Sequence, residues 1–312
     1  MLRTVTSITR LYPATLVMAF LSLLFQTAYN FLFIFTVIGC YQVYYPGPQD
    51  SATRLNVVVV FLIFSFYWTT QVIFYVTHTT VAGVFASYYF LTGLGQQAPR
   101  NPTAASFRRA MTTSFGSICF GALFVAVLNL IRALLYDAQQ QVDTPCAAFV
   151  LCLVQCCLGY IQALLEYFNY YAYTQVAIYG KDFCTAAKVR TMEPSACQHQ
   201  ENASDTWTLI KDRGIEAIIN DNLTGGILTG VLTALFGYLY LVITRPAYNA
   251  GGNLTPVLVL ISFLLGISMF GTVATVIQSG VATTFVCLAE DPEALRRTKP
   301  ELYEMVRSNP FV

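Results

Sequence analysis

Six long apolar runs dominate the sequence and restrict the folds that are open to it. They lie near residues 14–43, 56–91, 113–135, 147–179, 223–245 and 255–287. A bilayer core about 30 Å thick requires about 20 residues of α-helix, so every run is long enough to cross one. The second and fourth runs are much longer than this minimum, and they must tilt, kink or project from the bilayer. The sequence therefore predicts a polytopic membrane protein.

Composition and pattern favour helices over a β-barrel for these spans. The chain of 312 residues is 56% hydrophobic and 11% charged, whereas a soluble domain carries about 25% charged residues. The runs lack the alternating hydrophobicity of transmembrane strands, and a helix satisfies its own backbone hydrogen bonds within lipid. We expect an all-α fold, a single transmembrane helical bundle of about six spans over residues 1–312.

Positive charge orients the predicted spans. Fourteen of the 17 Lys and Arg residues fall in segments on one side of the membrane, and the other side has only Arg54, Arg132 and Arg245. Cytoplasmic segments carry the excess of Lys and Arg, so both termini are predicted to be cytoplasmic. The first apolar run is too long to be the core of a cleavable signal peptide.

Composition and motifs disfavour several classes of function. The net charge of +1 provides no basic surface for nucleic acid. The nine cysteines follow no paired metal-ligand spacing, and His78 and His199 are too few and too far apart for a zinc site. The sequence has no GxGxxG, Walker, GxSxG or HExxH motif. We therefore expect no cofactor, no metal, no nucleic-acid partner and no enzymatic activity.

Polar residues form a stripe along the second predicted span. At about 100° per residue, Gln71, Tyr75 and His78 fall within about 60° of one another on a helix. The opposite side carries small residues that allow close helix packing, namely Thr69, Thr80, Gly83 and Ser87. One face is thus predicted to pack, and the other to offer hydrogen bonds and aromatic rings.

A second polar stripe runs along the fourth predicted span. At helical spacing it comprises Gln155, Gly159, Gln162, Glu166, Asn169, Tyr170 and Tyr173. Glu166 lies near mid-span, where a carboxylate costs about 2.5–3.5 kcal/mol on insertion scales. Its compensation requires protonation, a buried partner such as His78 or Arg132, or a cation that arrives from solution.

The two stripes leave two interpretations open. In the first, they line a binding site whose residues are Trp68, Gln71, Tyr75, His78, Glu166, Asn169 and Tyr170. An anionic site with aromatic faces suits a quaternary ammonium, and the rings near it belong to Trp68, Tyr75, Tyr167, Tyr170 and Tyr171. In the second, the polar side chains only join helices, at about 0.6 kcal/mol per hydrogen bond.

A cytoplasmic loop is predicted over residues 181–222, between the fourth and fifth spans. Within it, SDTWTLIKDRGIEAIIND (204–221) has the pattern of an amphipathic helix that lies on the membrane surface. Ser204 or Asp205 can cap this helix.

Five segments give nearly the whole chain a resemblance to a known family. They are YWTTQVIFYVTHTTVAGVFASYYF, FGSICFGALFVAVLNLIRALL, EYFNYYAYTQVAIYGKDFCTAAK, DTWTLIKDRGIEAIINDNL and TTFVCLAEDPEALRRTKPELYEMV. In this order and spacing they resemble the choline transporter-like proteins (solute carrier family 44), and most closely the fungal-type branch. The resemblance implies a transporter-like protein of the plasma membrane. It also implies choline or a related cation as the substrate class of some members.

The chain departs from the family pattern in two places. Family members resemble ten-span proteins, whereas this chain begins at what resembles the fifth span, so the N-terminal spans are expected to be needed for function. In addition, VRTMEPSACQHQENAS (189–204) separates AAK from DTW, which adjoin in the family pattern. This segment is either an unspliced in-frame intron or a genuine loop insertion, and sequencing of the transcript distinguishes the two.

These features together predict a function and one rival. We expect transport of a small solute, choline or a related organic cation, across the plasma membrane, with the bilayer as the chain's surroundings. The alternative is a structural or scaffold protein of the membrane that transports nothing.

Overall fold

The computed structural model describes residues 2–44, 49–93, 101–140, 145–184, 215–244 and 255–290, together with Arg296. Within this part of the chain there are eight α-helices and no β-strand. The helices are α1 (Leu2–Leu11), α2 (Ala14–Tyr44), α3 (Gln49–Gly93), α4 (Pro102–Met111), α5 (Phe115–Gln140), α6 (Pro145–Tyr179), α7 (Ile215–Thr244) and α8 (Thr255–Glu290).

Six of these helices, namely α2, α3 and α5 to α8, are long and apolar enough to cross a membrane. They correspond one to one to the six apolar runs, so the predicted all-α fold with about six spans is confirmed. The longest is α3, whose 45 residues extend over about 68 Å at 1.5 Å per residue. This helix is far longer than a bilayer core of about 30 Å, as the length of the second run indicated.

Two short helices lie between or before the spans. α1 ends ahead of Pro13, whose ring and missing N–H interrupt a helix. α4 begins at Pro102, where the missing N–H is harmless, and carries Arg108 and Arg109 in its last turn, where they complement the helix dipole. Both helices escape a search for membrane-length runs because each has only ten residues.

The chain divides into two compact units. The first unit comprises residues 24–87 and 98–193, and it contains most of α3 together with α4, α5 and α6. The second unit comprises residues 1–23, 88–97 and 194–312, and it contains α1, α7 and α8. All residues of the predicted binding site lie in the first unit.

In the first unit, α3, α4, α5 and α6 share a buried core. Aromatic rings from α3 and α6 pack there with alanines of α4 and α5 and with two β-branched side chains. The core consists of Tyr75, Val76, Ala110, Ile118, Ala122 and Tyr173, with Trp68, Val72 and Phe183 packed against it. Two of the predicted site residues, Trp68 and Tyr75, are therefore part of this packing.

In the second unit, α7 and α8 pack along each other, and glycines allow their close approach. A Cβ added at Gly225 would overlap the ring of Phe270, and one added at Gly230 would lie 2.8 Å from the ring of Phe263. A Cβ added at Gly266 of α8 would likewise lie 2.9 Å from the Thr229 carbonyl oxygen of α7. These glycines therefore serve as packing positions between two spans.

The segment between the fourth and fifth spans is described only at its two ends. α6 ends at Tyr179, and Gly180 follows with a φ of 66°, the left-handed conformation that commonly closes a helix. α7 begins at Ile215, so the last residues of the predicted loop 181–222 belong to the helix that continues into the span. No proline or glycine lies between Ile215 and Gly225 to interrupt it. The segment 189–204 and the amphipathic pattern up to residue 214 lie outside the described residues.

Candidate functional site

The polar stripe of α3 faces α6, as helical spacing indicated. The ring of Tyr75 packs against the ring of Tyr173, with centroids 4.3 Å apart. One turn further along α3, His78 stacks on Tyr170, with ring centroids 3.9 Å apart. Tyr75 is 2% exposed and His78 is fully buried. Both therefore lie inside the helix packing of the first unit.

His78 joins α3 to the backbone of α6. Its Nε2 lies 2.9 Å from the carbonyl oxygen of Tyr170 and 3.2 Å from Oγ1 of Thr174. A carbonyl oxygen can only accept a hydrogen bond, so Nε2 carries a proton and donates. This is the geometry of a buried histidine that is satisfied within the packing, and the partner Thr174 was not among the predicted residues.

Trp68, Asn169 and Tyr173 direct their donors to backbone carbonyls of α5. Trp68 Nε1 donates to the Cys119 oxygen at 3.0 Å, Asn169 Nδ2 to the Gly121 oxygen at 3.1 Å, and Tyr173 Oη to the Ile118 oxygen at 3.0 Å. The three acceptors lie within one turn of α5. That turn was not part of the predicted site, because a backbone acceptor leaves no mark on the sequence.

Gly121 lets α5 approach the aromatic side chains that surround it. A Cβ added at this position would overlap the hydroxyl of Tyr173 and the ring of Phe183. Phe183 also donates its backbone N–H to Ser117 Oγ at 3.3 Å. Gly121 and Ala122 are two successive small residues in α5, and small residues within a span are a sequence signal of close helix packing.

Glu166 is connected to Arg132 through the side chain of Gln162. Arg132 Nη1 donates to Gln162 Oε1 at 2.5 Å, and Gln162 Nε2 donates to Glu166 Oε1 at 2.7 Å. A guanidinium can only donate, so the amide oxygen must face Arg132 and the amide nitrogen must face Glu166. The buried partner considered for Glu166 is thus Arg132, and the two charges meet through an amide rather than directly.

The other contacts of Arg132 also come from α6. Gln155 Nε2 lies 3.5 Å from the Arg132 carbonyl oxygen, and a Cβ added at Gly159 would lie 3.8 Å from the Arg132 guanidinium. Arg132 Nε is buried and has no hydrogen-bond partner among the described residues. One side of the polar stripe of α6 therefore contacts Arg132, which lies within the span formed by α5.

Glu166 and Gln71 are the site residues with hydrogen-bonding capacity left over. Both side chains are half-buried. Within the described residues, the second carboxylate oxygen of Glu166 and the amide of Gln71 have no hydrogen-bond partner. Tyr75 of α3 is buried against Tyr173 of α6, and Asn169 of α6 is bound to the Gly121 oxygen. The arrangement leaves one carboxylate oxygen of Glu166 without a hydrogen-bond partner among the described residues.

The predicted aromatic residues are distributed unevenly around this point. Tyr75 and Tyr171 are buried, whereas Trp68 and Tyr170 are half-buried, and the side chain of Tyr167 lies outside the described part. Among the described residues, no cluster of three His, Cys, Asp or Glu side chains could hold a metal ion.

A family comparison identifies the chain. The profile of the family described as "Plasma-membrane choline transporter" matches residues 1–192 and 200–293. The chain belongs to this family. The choline transporter-like resemblance noted in the sequence is thereby confirmed, and the chain is a multi-pass membrane protein of a family of transporters, not of enzymes. The unmatched residues 193–199 fall within the segment 189–204.

Several fungal relatives carry the name Protein PNS1. The relative from Cryptococcus neoformans is 38% identical over 98% of this chain and 56% of its own length. Those from Mycosarcoma maydis and Yarrowia lipolytica are 39% and 35% identical over 95% and 98% of this chain, and over 55% and 54% of their own lengths. The chain therefore spans little more than half the length of these relatives.

Proposed function

We propose that this member of the choline transporter-like family contributes to the transport of a small organic cation across the plasma membrane, with Glu166 as the counter-charge for the cation. The observation that carries the proposal is the half-buried carboxylate of Glu166 in the middle of α6, one oxygen of which has no hydrogen-bond partner among the described residues. A membrane carboxylate is expensive to insert and commonly marks a solute path.

The surroundings of Glu166 support a cation that carries methyl groups. Trp68 of α3 and Tyr170 of α6 are half-buried aromatic residues, and aromatic faces attract a quaternary ammonium without needing hydrogen bonds from it. Gln162 holds Glu166 Oε1 as an acceptor, so the carboxylate has a fixed orientation before the solute arrives. Family transporters with a midplane site would expose it alternately to the two sides of the membrane.

A second function, that of a structural membrane protein, is favoured by other contacts of the same residues. Trp68, His78 and Asn169 use their polar atoms to bind the backbone of a neighbouring helix. Such bonds hold helices together, at about 0.6 kcal/mol each, and require no solute. The free oxygen of Glu166 is the feature that this function leaves without a role.

The test is uptake of radiolabelled choline by cells that lack their own choline carriers. The 312-residue chain is measured alone and joined behind the N-terminal part of the relative from Cryptococcus neoformans. The Glu166→Gln variant keeps the shape of the side chain and removes its charge. Asp182→Asn, which removes a carboxylate beyond the end of α6, is the matched control.

We expect uptake that Glu166→Gln abolishes and Asp182→Asn leaves intact, because Glu166 lies within α6 whereas Asp182 lies beyond its end. Surface expression and unfolding temperature are measured for every variant. Failure of the joined, surface-resident protein to take up choline would reject choline as its solute. Loss of folding in Glu166→Gln would instead favour the structural function.

A further inference from the structure

A small cavity lies where α4 leads into α5, within the first unit and separate from the Glu166 site. Its volume is about 70 Å³. Since one water molecule occupies about 10–15 Å³ of such a space, the cavity has room for about five atoms of this size. Its polar lining comes from Thr79 of α3, Ser106 and Arg109 of α4, and Thr113 and Ser114 of the following turn.

Thr79 contributes a buried hydroxyl that has no hydrogen-bond partner among the described residues. Its side chain is 3% exposed. Other hydroxyls of α3 behave differently: Thr77 donates to the Ile73 oxygen at 3.0 Å and Thr80 to the Val76 oxygen at 2.7 Å. Unsatisfied buried hydroxyls are rare in folded proteins. A group bound in the cavity that Thr79 lines would supply the missing partner.

Arg109 brings a positive charge to the same cavity. Its guanidinium makes no ion pair or hydrogen bond with any residue that the structure describes. Gly83 of α3 makes room for Ser106, whose hydroxyl an added Cβ would overlap, and Arg109 Nη2 lies 3.5 Å from the position of that Cβ. Ser106 Oγ donates to the Thr80 oxygen at 2.8 Å and so fixes α4 against α3. Arg109 is therefore held at the cavity with its donors free.

Ser114, which lines the cavity, directly precedes the first turn of α5. Ile118 N–H donates to the Ser114 oxygen at 3.0 Å, so Ser114 is the N-cap residue of α5, and the first N–H groups of the helix have no acceptor within it. Such an N-terminus favours negative charge. On the opposite wall, the Val176 oxygen of α6 is already paired with Gly180 N–H at 2.9 Å.

We propose that this cavity binds a phosphate group, with Arg109 as the charged ligand, Thr79 and Ser114 as hydroxyl ligands, and the nearby N-terminus of α5 as a favourable dipole. A phosphate group consists of one phosphorus and four oxygens, which suits the size of the cavity and the number of donors around it. The group can belong to free inorganic phosphate or to the monoester headgroup of phosphatidic acid. The transported cation and Glu166 take no part in this site.

The experiment measures the unfolding temperature of the full 312-residue chain. In detergent, inorganic phosphate is compared with chloride at equal ionic strength. In nanodiscs, phosphatidic acid is compared with phosphatidylcholine. The variants are Arg109→Gln and Thr79→Val, and the matched control is Arg108→Gln, which removes the neighbouring arginine that does not line the cavity.

We expect phosphate in one of these two forms to raise the unfolding temperature of the unmodified chain and of Arg108→Gln. Arg109→Gln and Thr79→Val are expected to weaken the apparent affinity by about tenfold or more, since charged hydrogen bonds are the strong ones. A response in detergent assigns the site to free phosphate, and a response only in phosphatidic acid nanodiscs assigns it to a lipid headgroup.

The proposal is overturned if neither form of phosphate shifts the unfolding temperature of the unmodified chain. It is equally overturned if Arg108→Gln loses as much affinity as Arg109→Gln, because binding would then reflect general surface charge. Arg109 is exposed, so its replacement leaves folding intact and keeps the test decisive even if Thr79→Val does not fold.

Discussion

At the scale of single residues, Gln162 lies between two opposite charges, and its amide satisfies both of them in only one orientation. Arg132 donates to the amide oxygen, and the amide nitrogen donates to Glu166. A flipped amide would place NH₂ against a guanidinium and an oxygen against a carboxylate. The side chain therefore has a fixed direction that any apolar replacement would lose.

We predict that Gln162→Leu lowers the free energy of unfolding by about 1–3 kcal/mol, because it leaves a half-buried donor and acceptor unpaired. The matched control is Gln155→Leu in the same helix. Gln155 lies 3.5 Å from the Arg132 oxygen, so the bond lost there is weak. Denaturation in mixed micelles measures the free energy of unfolding of both variants. Equal losses would show that the amide between Arg132 and Glu166 adds no more stability than a weak hydrogen bond.

At the scale of helices, α5 is distinguished by the glycine that lets side chains of α6 reach its backbone. Gly121 has no room for a methyl group beside Tyr173 and Phe183, whereas a Cβ added at Gly116 meets nothing within 4 Å. The two glycines lie in one helix, but only one of them serves the packing of α5 against α6.

Gly121→Ala is accordingly expected to destabilise the protein by about 1–3 kcal/mol through overpacking. Gly116→Ala should leave stability unchanged or raise it by up to about 1 kcal/mol, since alanine is the better helix former. Thermal unfolding of the two variants under the same conditions measures these two changes in stability. A neutral Gly121→Ala would mean that Tyr173 and Phe183 move aside at no cost.

The span helices could be predicted from the sequence because length and hydropathy decide them. The fourth run was placed at 147–179, and α6 covers Pro145–Tyr179. The fifth was placed at 223–245, but α7 starts at Ile215, since helix formation continues past the edge of an apolar run when no breaker stops it. The hydropathy of the sequence thus decides which residues cross the membrane, and local backbone chemistry decides where each helix begins.

At the scale of the whole molecule, the distribution of Lys and Arg predicts a definite topology. The segment between α5 and α6 should face outward, and the segment between α3 and α4 should face the cytoplasm. Protease cleavage sites inserted after Gln140 and after Gln97 test this in intact cells. External protease should cut only at the first site, and cutting only at the second would reverse the orientation.

The candidate site could be predicted only in part, again for a physical reason. Helical spacing placed Tyr75, His78 and Glu166 on faces that do meet neighbouring helices. The bridge from Glu166 to Arg132 depends on how far α5 is rotated and shifted along α6, and no periodicity within one helix contains that information. The same holds for the Thr79 cavity, whose walls come from segments far apart in the chain.

The three hydrogen bonds that α5 accepts from Trp68, Asn169 and Tyr173 have a mechanical consequence. All are close to 3 Å long, and they approach α5 from two different helices. A slide of α5 by one helical turn, about 5.4 Å, would break all three at once. These parts of α3, α5 and α6 are therefore expected to resist sliding past one another, because no single one of the three bonds can be lost alone in such a slide.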